Sequence, residues 1–494
     1  MAISTSLNRL PRRDWSPAAA RHLLWRVGFG GSPAEVAAVW DAGLDRAVEG
    51  LLGSEDNIAG TGPDVDPDVI RPLSTDERRA ARAARQSGDE DALREFRSRR
   101  IQSRREDRAM HVRLQSWWLQ RMIQTPRPLE EKLTLLWHGH FATRHRNVRD
   151  AYLMYQQNQM MRTYGAKSFA DLAQGVVRDP AMLKFLNNDR NNARKPNENL
   201  ARELMELFTL GEGQYRERDI REGARSLTGY HVNDNDFSFR RRAHDGSSKT
   251  IFGRTGPFDG DDFVDIILAR KRCARFVAFK LYRYFVLDID EEEDRWPPAS
   301  KRVIDQMGDR IFRDRYQLQP LLKDLFRSRH FYDSAVVGKK IKSPAELLAG
   351  TIRAMNTPYR NPRMLREAMR RMGQQLFDPP SVAGWDGGSS WINTATLFAR
   401  QNLCLYLITG EGSRRGGSRH GDEDYDPMVL LGVGDRHPTS VANHLVDVYL
   451  GSHVPAVRRV PLLDFVTRSG QTVTADTLVS LLVLICAMPE YQLC

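Results

Sequence analysis

The chain reads as a mainly α-helical protein, a large helical domain with one small β-hairpin, and three observations carry that expectation. Apolar residues recur at helical spacing, as in Leu23 and Val27, then Val36, Val39 and Trp40, then Leu114, Trp117, Trp118 and Met122. Helix-start signals recur with them. Ser16-Pro17, Ser32-Pro-Ala-Glu35 and Ser343-Pro-Ala-Glu346 place Ser at the N-cap and Pro at the first helical position, and the glutamates complete capping boxes. Strand-like alternation is confined to residues 233–253, where Phe237 and Phe239 alternate with polar residues and Thr250-Ile-Phe-Gly253 follows a Gly-bearing turn.

In chain order, the N-terminal helices come first. Ser74 and Glu77 then open a charged segment, 74–108, which reads as a solvated helix or helical hairpin inserted at the surface. An amphipathic helix is expected to end near Leu136. Another covers 197–211, and a third runs from an Asp219 cap to Leu227, stopped by Gly229. Residues 410–426 form a polar, disorder-prone loop. The apolar run Leu478–Met488 is too short to span a bilayer and reads as a buried C-terminal helix. Neither insertion has the look of a hinge, so 1–494 is expected to be one helical body.

Composition excludes several function classes. The formal charge of +11 suggests nucleic acid, but only 12 of the 74 basic residues are Lys, as GC-rich coding would produce, and the cations interleave with acids. Nucleic-acid binding is therefore not expected. The four cysteines show no CxxC spacing and no disulfide framework, which points to a reducing compartment. The first residues lack the roughly 7–15-residue apolar core of a secretory signal, so a cytoplasmic location is expected. P-loop, GxSxG, HExxH and dinucleotide-binding motifs are absent.

The candidate chemistry lies in four places. On a helical wheel, Leu200, Leu204, Leu207 and Phe208 form an apolar stripe widened by Met205 and Leu210, and Glu203 falls inside it. A carboxylate there needs a cation, a donor set or a metal. Arg225 is the structural candidate for its partner. In Trp137-His-Gly-His-Phe141, extended backbone would point His138 and His140 to one side, able to share a metal with His145 nearby; the alternative is one helix-capping and one core histidine. His244-Asp245 can serve a metal or a general base, or can form an Asx turn with Lys249 solvated. The loop 377–393 carries Trp385 and Trp391, either a sugar-stacking platform or a core plug.

The segments Leu23–Gly30, Glu131–Thr143, Asn197–Gly211, Ala224–Gly229, His244-Asp245, Lys342–Glu346, Pro379–Trp391 and Pro489–Tyr491, in this order, resemble the bacterial family catalogued as domain of unknown function 1800. The resemblance implies a mostly helical fold and a gene often placed beside one for a sulfatase-like protein. It also implies that many relatives are exported, a departure from the signal-free start of this chain.

Two functional expectations stand side by side. One is a metal-dependent hydrolase in which His138, His140 and Asp245 hold a divalent ion and Glu203 and His244 are catalytic. The other is a non-catalytic helical partner of the sulfatase-like protein, with Glu203–Arg225 as an internal strut. The hydrolase requires His138, His140, Glu203, His244 and Asp245 to converge.

Overall fold

The computed structural model describes residues 3–53, 62–71, 74–410, 425–431, 436–451 and 454–494. Three helices open the chain, Pro17–Val27, Pro33–Ala42 and Leu44–Leu52. At Ser32 and again at Ser343 the capping box is complete: the Ser hydroxyl accepts the backbone N–H three residues on, and the glutamate accepts the N–H of the serine.

Residues 74–108 lie on two helices. Thr75–Ser87 starts at the Ser74–Glu77 capping box and ends at Gly88, whose φ of +68° reverses the chain. Asp89 then caps the 35-residue helix Glu90–Gln124, whose early turns are largely exposed and whose later ones, from Met110 on, enter the core. Most of 410–426 falls outside the described residues.

Two hydrophobic cores are joined by helices that contribute to both, among them Pro17–Val27, Pro128–His140 and Ala151–Tyr164. The first gathers Phe169–Arg178, Gly260–Leu268, Lys271–Phe285, Pro298–Arg313 and Gln319–Arg327. The second gathers the end of Glu90–Gln124 with Pro344–Met355, Thr394–Thr409, Pro438–Tyr449 and Ala475–Ala487. The shared helix that leads to the cleft is Pro128–His140. Its Leu129, Leu133 and Leu136 fall three or four residues apart and face the first core, while Leu135 faces the second. In Ala475–Ala487 the same spacing buries Leu478, Leu481, Leu482 and Ile485 completely. Among the described residues no helix is long and apolar enough to cross a membrane. Cys273, Cys404, Cys486 and Cys494 are free and buried.

Among the described residues the strand content is two hairpins rather than one. β1 (Tyr230–Asn233) pairs antiparallel with β2 (Asp236–Phe239), and β3 (Lys249–Ile251) with β4 (Arg254–Gly256). Each turn holds two residues at positive φ, Asp234-Asn235 and Phe252-Gly253, the geometry that matches tight two-residue loops to strand twist. His244 and Asp245 lie on the link between the hairpins.

Candidate active-site cleft

The helix Pro128–His140 continues four residues beyond its expected end, because Phe141 still donates to the Trp137 carbonyl. This corrects the extended reading of Trp137–Phe141. Two residues apart on a helix is about 200° of rotation, so His138 and His140 diverge instead of sharing a side. His138 turns to Trp118, Phe377 and Trp385, and its Nε2 accepts the Phe377 N–H at 3.1 Å. His140 turns to Phe208, and its Nε2 lies 2.9 Å from the Phe208 carbonyl oxygen. Burial pushes both imidazoles down to about 3, so both are neutral near pH 7. Since His140 Nε2 must donate to a carbonyl, its Nδ1 carries the lone pair.

The Phe208 carbonyl needs that donor because of an unexpected local structure. Asn199–Glu203 is α-helical, but Leu204–Leu210 is a π-helix. A π turn advances less than the roughly 100° per residue of the wheel, so the wheel misplaces the residues after Glu203. Thr209 is buried and donates to the Leu204 carbonyl five residues back. The last carbonyls of the turn are satisfied by side chains, Phe208 by His140 and Leu210 by Arg272 Nε at 2.9 Å.

Glu203 sits with Leu207 on the half-buried flank of this element, outside the sealed arc. Burial raises its carboxyl above the ordinary value, Glu206 adds to the rise and Arg202 opposes it. It makes no hydrogen bond or ion pair among the described residues. The expected strut to Arg225 is replaced by another pairing: Arg225 binds Asp245 at 2.7 Å and Glu222 at 2.9 Å.

That pairing defines a clasp between the hairpins. Burial tends to raise the Asp245 carboxyl, but hydrogen bonds from Arg225 and Ser247 outweigh it and hold it well below its usual range. His244 Nδ1 lies 2.8 Å from the Thr228 carbonyl. Lys249, expected in solvent, is buried, with Nζ 2.5 Å from the Asp245 carbonyl and 3.1 Å from that of Ser247. His244 and Asp245 thus take their partners from Thr228, Arg225 and Ser247, and His138 and His140 take theirs from Phe377 and Phe208. Among the described residues no group of three or more His, Cys, Asp or Glu side chains is placed to hold a metal ion.

The groups that do converge surround a cleft of about 170 Å³ between the two cores. His140 and Leu136 line it from the shared helix, Lys280, Arg283 and Tyr284 from Lys271–Phe285, and Trp385 and Trp391 from the 377–391 loop. Two glycines set that loop. Gly384, at φ +84°, lies so near Gly139 that a Cβ would come 2.0 Å from its carbonyl oxygen, and a Cβ on Gly139 would meet the Trp385 ring at 3.4 Å. Trp385 therefore covers the end of the shared helix. Its Nε1 is enclosed without an acceptor among the described residues.

Charge pairs form the rest of the wall. Lys280 lies over Phe276 and Phe279 and 3.5 Å from Glu291, and burial pushes its ammonium below the ordinary value despite that carboxylate. Arg283 pairs with Glu291 and donates to the Asp386 carbonyl at 2.7 Å. Lys340 binds Asp288 at 2.6 Å. Deeper, Lys132 meets Glu346 at 2.5 Å with both side chains almost fully buried. Burial would raise Glu346, but Lys132 and Lys340 overcome it and hold the carboxyl at about 2.

Sequence reasoning missed Lys132, Lys280 and Lys340 because they sit in no motif. A signal was available: the chain uses Arg for 62 of its 74 basic residues (74 less 12 Lys), and three of the few lysines gather at this cleft. Lys differs from Arg in presenting a compact point charge on a flexible stem, with three donors free to rotate toward their acceptors.

No curated protein and no solved structure matches the chain. A family model described as a protein of unknown function (DUF1800) matches residues 22–493, and the chain belongs to that family.

Proposed function

We propose that this protein works by binding a small polar ligand in the cleft between its two cores. The observation that carries this is the convergence of side chains there: His140, Lys280, Arg283 and the rings of Trp385 and Trp391 line one concave space. In its enzymatic form the reading makes the protein a hydrolase acting in this cleft. A metal-dependent hydrolase built on His138, His140, Glu203, His244 and Asp245 draws less support, because four of the five are already engaged by Phe377, Phe208, Thr228 and Arg225. The test is saturation-transfer NMR with a panel of monosaccharides, hydroxy acids and amino acids. Wild type is expected to give signals that Lys280→Met and Trp385→Leu lose while their circular dichroism is unchanged. Signals that persist in both variants defeat the reading.

A second reading, as partner of a co-encoded sulfatase-like protein, would place the contact on the exposed helical hairpin around Ile101. Co-purification of the two proteins that survives Ile101→Glu counts against the hairpin as the contact. The free, buried thiols support placing the protein in a reducing compartment.

A further inference from the structure

Beside the cleft lies a second cavity, of about 450 Å³, and the two share Leu207, Lys280 and Glu291. The Lys280–Glu291 pair is the partition between them. The contact is long, at 3.5 Å, and the Glu291 side chain, which also pairs with Arg283, is 65% exposed. A hydroxyl-bearing ligand that inserts between the two groups replaces this long contact while the Arg283–Glu291 pair stays in place. Aromatic surface lies on both sides of it. Trp385 borders the first cavity, while Trp296, stacked on Phe279 with ring centres 4.8 Å apart, borders the second.

The charges say which kind of ligand fits. The first cavity is lined by three basic and four acidic side chains, the second by three basic and five acidic. Carboxylates outnumber cations in both, and most of the cations are already paired, so an anionic chain is disfavoured. Carboxylates and guanidinium groups beside aromatic rings suit a ligand that offers hydroxyls to the charges and flat C–H faces to the rings. Size sets its length. A cavity of roughly 150 Å³ admits one benzene ring, so the first space takes one six-membered ring and the second about two or three.

We propose that the cleft and its neighbour form one groove that binds a neutral oligosaccharide of about three or four units across the Lys280–Glu291 partition. This rests on the reading of the cleft as the ligand site and specifies its ligand. The groove would hold one terminal sugar beside Trp385 and the remaining units between Gln214 and Trp296.

The experiment is calorimetric titration with neutral gluco-, manno- and xylo-oligosaccharides of one to six units. In at least one series the affinity is expected to rise tenfold or more from one unit to about four and then level off. Gln214 is exposed and lines only the second cavity, so Gln214→Trp fills that space without disturbing the core. The variant is expected to bind the monosaccharide as wild type does and to lose the gain with length. Monosaccharide binding with no gain along any series overturns the two-subsite groove but leaves the cleft reading standing. A gain that survives Gln214→Trp overturns it equally. Tighter binding of a neutral Gly-Ser hexapeptide than of any sugar overturns the ligand class. Silence from every sugar overturns the proposal, and the hydroxy acids and amino acids of the NMR panel then decide the cleft reading separately.

Discussion

The clasp around Asp245 and the cleft around Lys280 are both crowded with charge, yet they are built in opposite ways. In the clasp, Asp245 has Arg225 and Ser247, His244 has the Thr228 carbonyl, and Lys249 has two carbonyls, all from residues 225–249. In the cleft the groups come from distant segments, from His140 to Trp391, and some stay incompletely satisfied. A local motif can close on itself and become architecture. Groups held apart by rigid helices cannot collapse onto one another, and they keep a space open for a ligand.

The largest expected effect lies at the floor of the cleft. Lys132→Met leaves the buried Glu346 without its direct cation partner, with only the Ser343 N–H and the field of Lys340 remaining, and urea unfolding should show a loss of about 3 kcal/mol. A loss under 1 kcal/mol would mean that the pair is not sealed from water and that the cleft is less rigid than the clasp.

Next is acid sensitivity. His138 and His140 are pushed down to about 3 in the folded protein from an ordinary 6.5. Below pH 6.5 the unfolded chain takes up protons that the folded one refuses. Their contribution is therefore full above about pH 6.5 and is lost as pH falls toward 3. Each such histidine adds a slope of about 1.4 kcal/mol per pH unit. Between pH 6 and 4, His140→Gln should make the dependence of unfolding free energy on pH shallower by that amount. An unchanged slope would show His140 to be open to solvent.

A smaller effect is expected in the clasp. Asp245→Asn keeps the shape and removes the charge partner of Arg225, with both side chains partly exposed, for a loss of about 1 kcal/mol. Ligand signals from the cleft should be untouched. If they vanish, the two regions are coupled and the contrast between them fails.

The smallest is a null result. Stoichiometric zinc should leave the thermal midpoint of wild type unchanged within error, because the histidines and Asp245 already have partners. Zinc stabilisation that disappears in His244→Ala would restore the metal reading.

The legible parts of the fold were those set by neighbours in the chain. Ser32, Ser74 and Ser343 cap as their spacing implies, and Leu478–Ile485 bury the face that their period marks. Asp234-Asn235 was a readable turn signal, though it makes a hairpin of its own and leaves Lys249–Gly256 to form another. At the site, Trp385 was visible as one of two open alternatives, and the structure places it against both the shared helix and the cleft. Glu203 was misplaced because the wheel assumed α geometry through a segment that is π-helical from Leu204. Of the Asx-turn alternative, the Asp245–Ser247 contact is present but Lys249 is not solvated, because burial of its ammonium depends on two carbonyls that only the folded link supplies.

The sequence by itself determined the helical class, the caps and the apolar faces, because these depend on residues within a turn or two of one another. The tertiary structure alone decided which polar residues meet. Arg225 could reach Glu203 or Asp245, and His138 and His140 could share a side or part. Each case was settled by the satisfaction of buried donors and acceptors from distant segments: the Phe377 N–H on His138, the Phe208 carbonyl on His140, and Glu346 against Lys132 across some two hundred residues of chain.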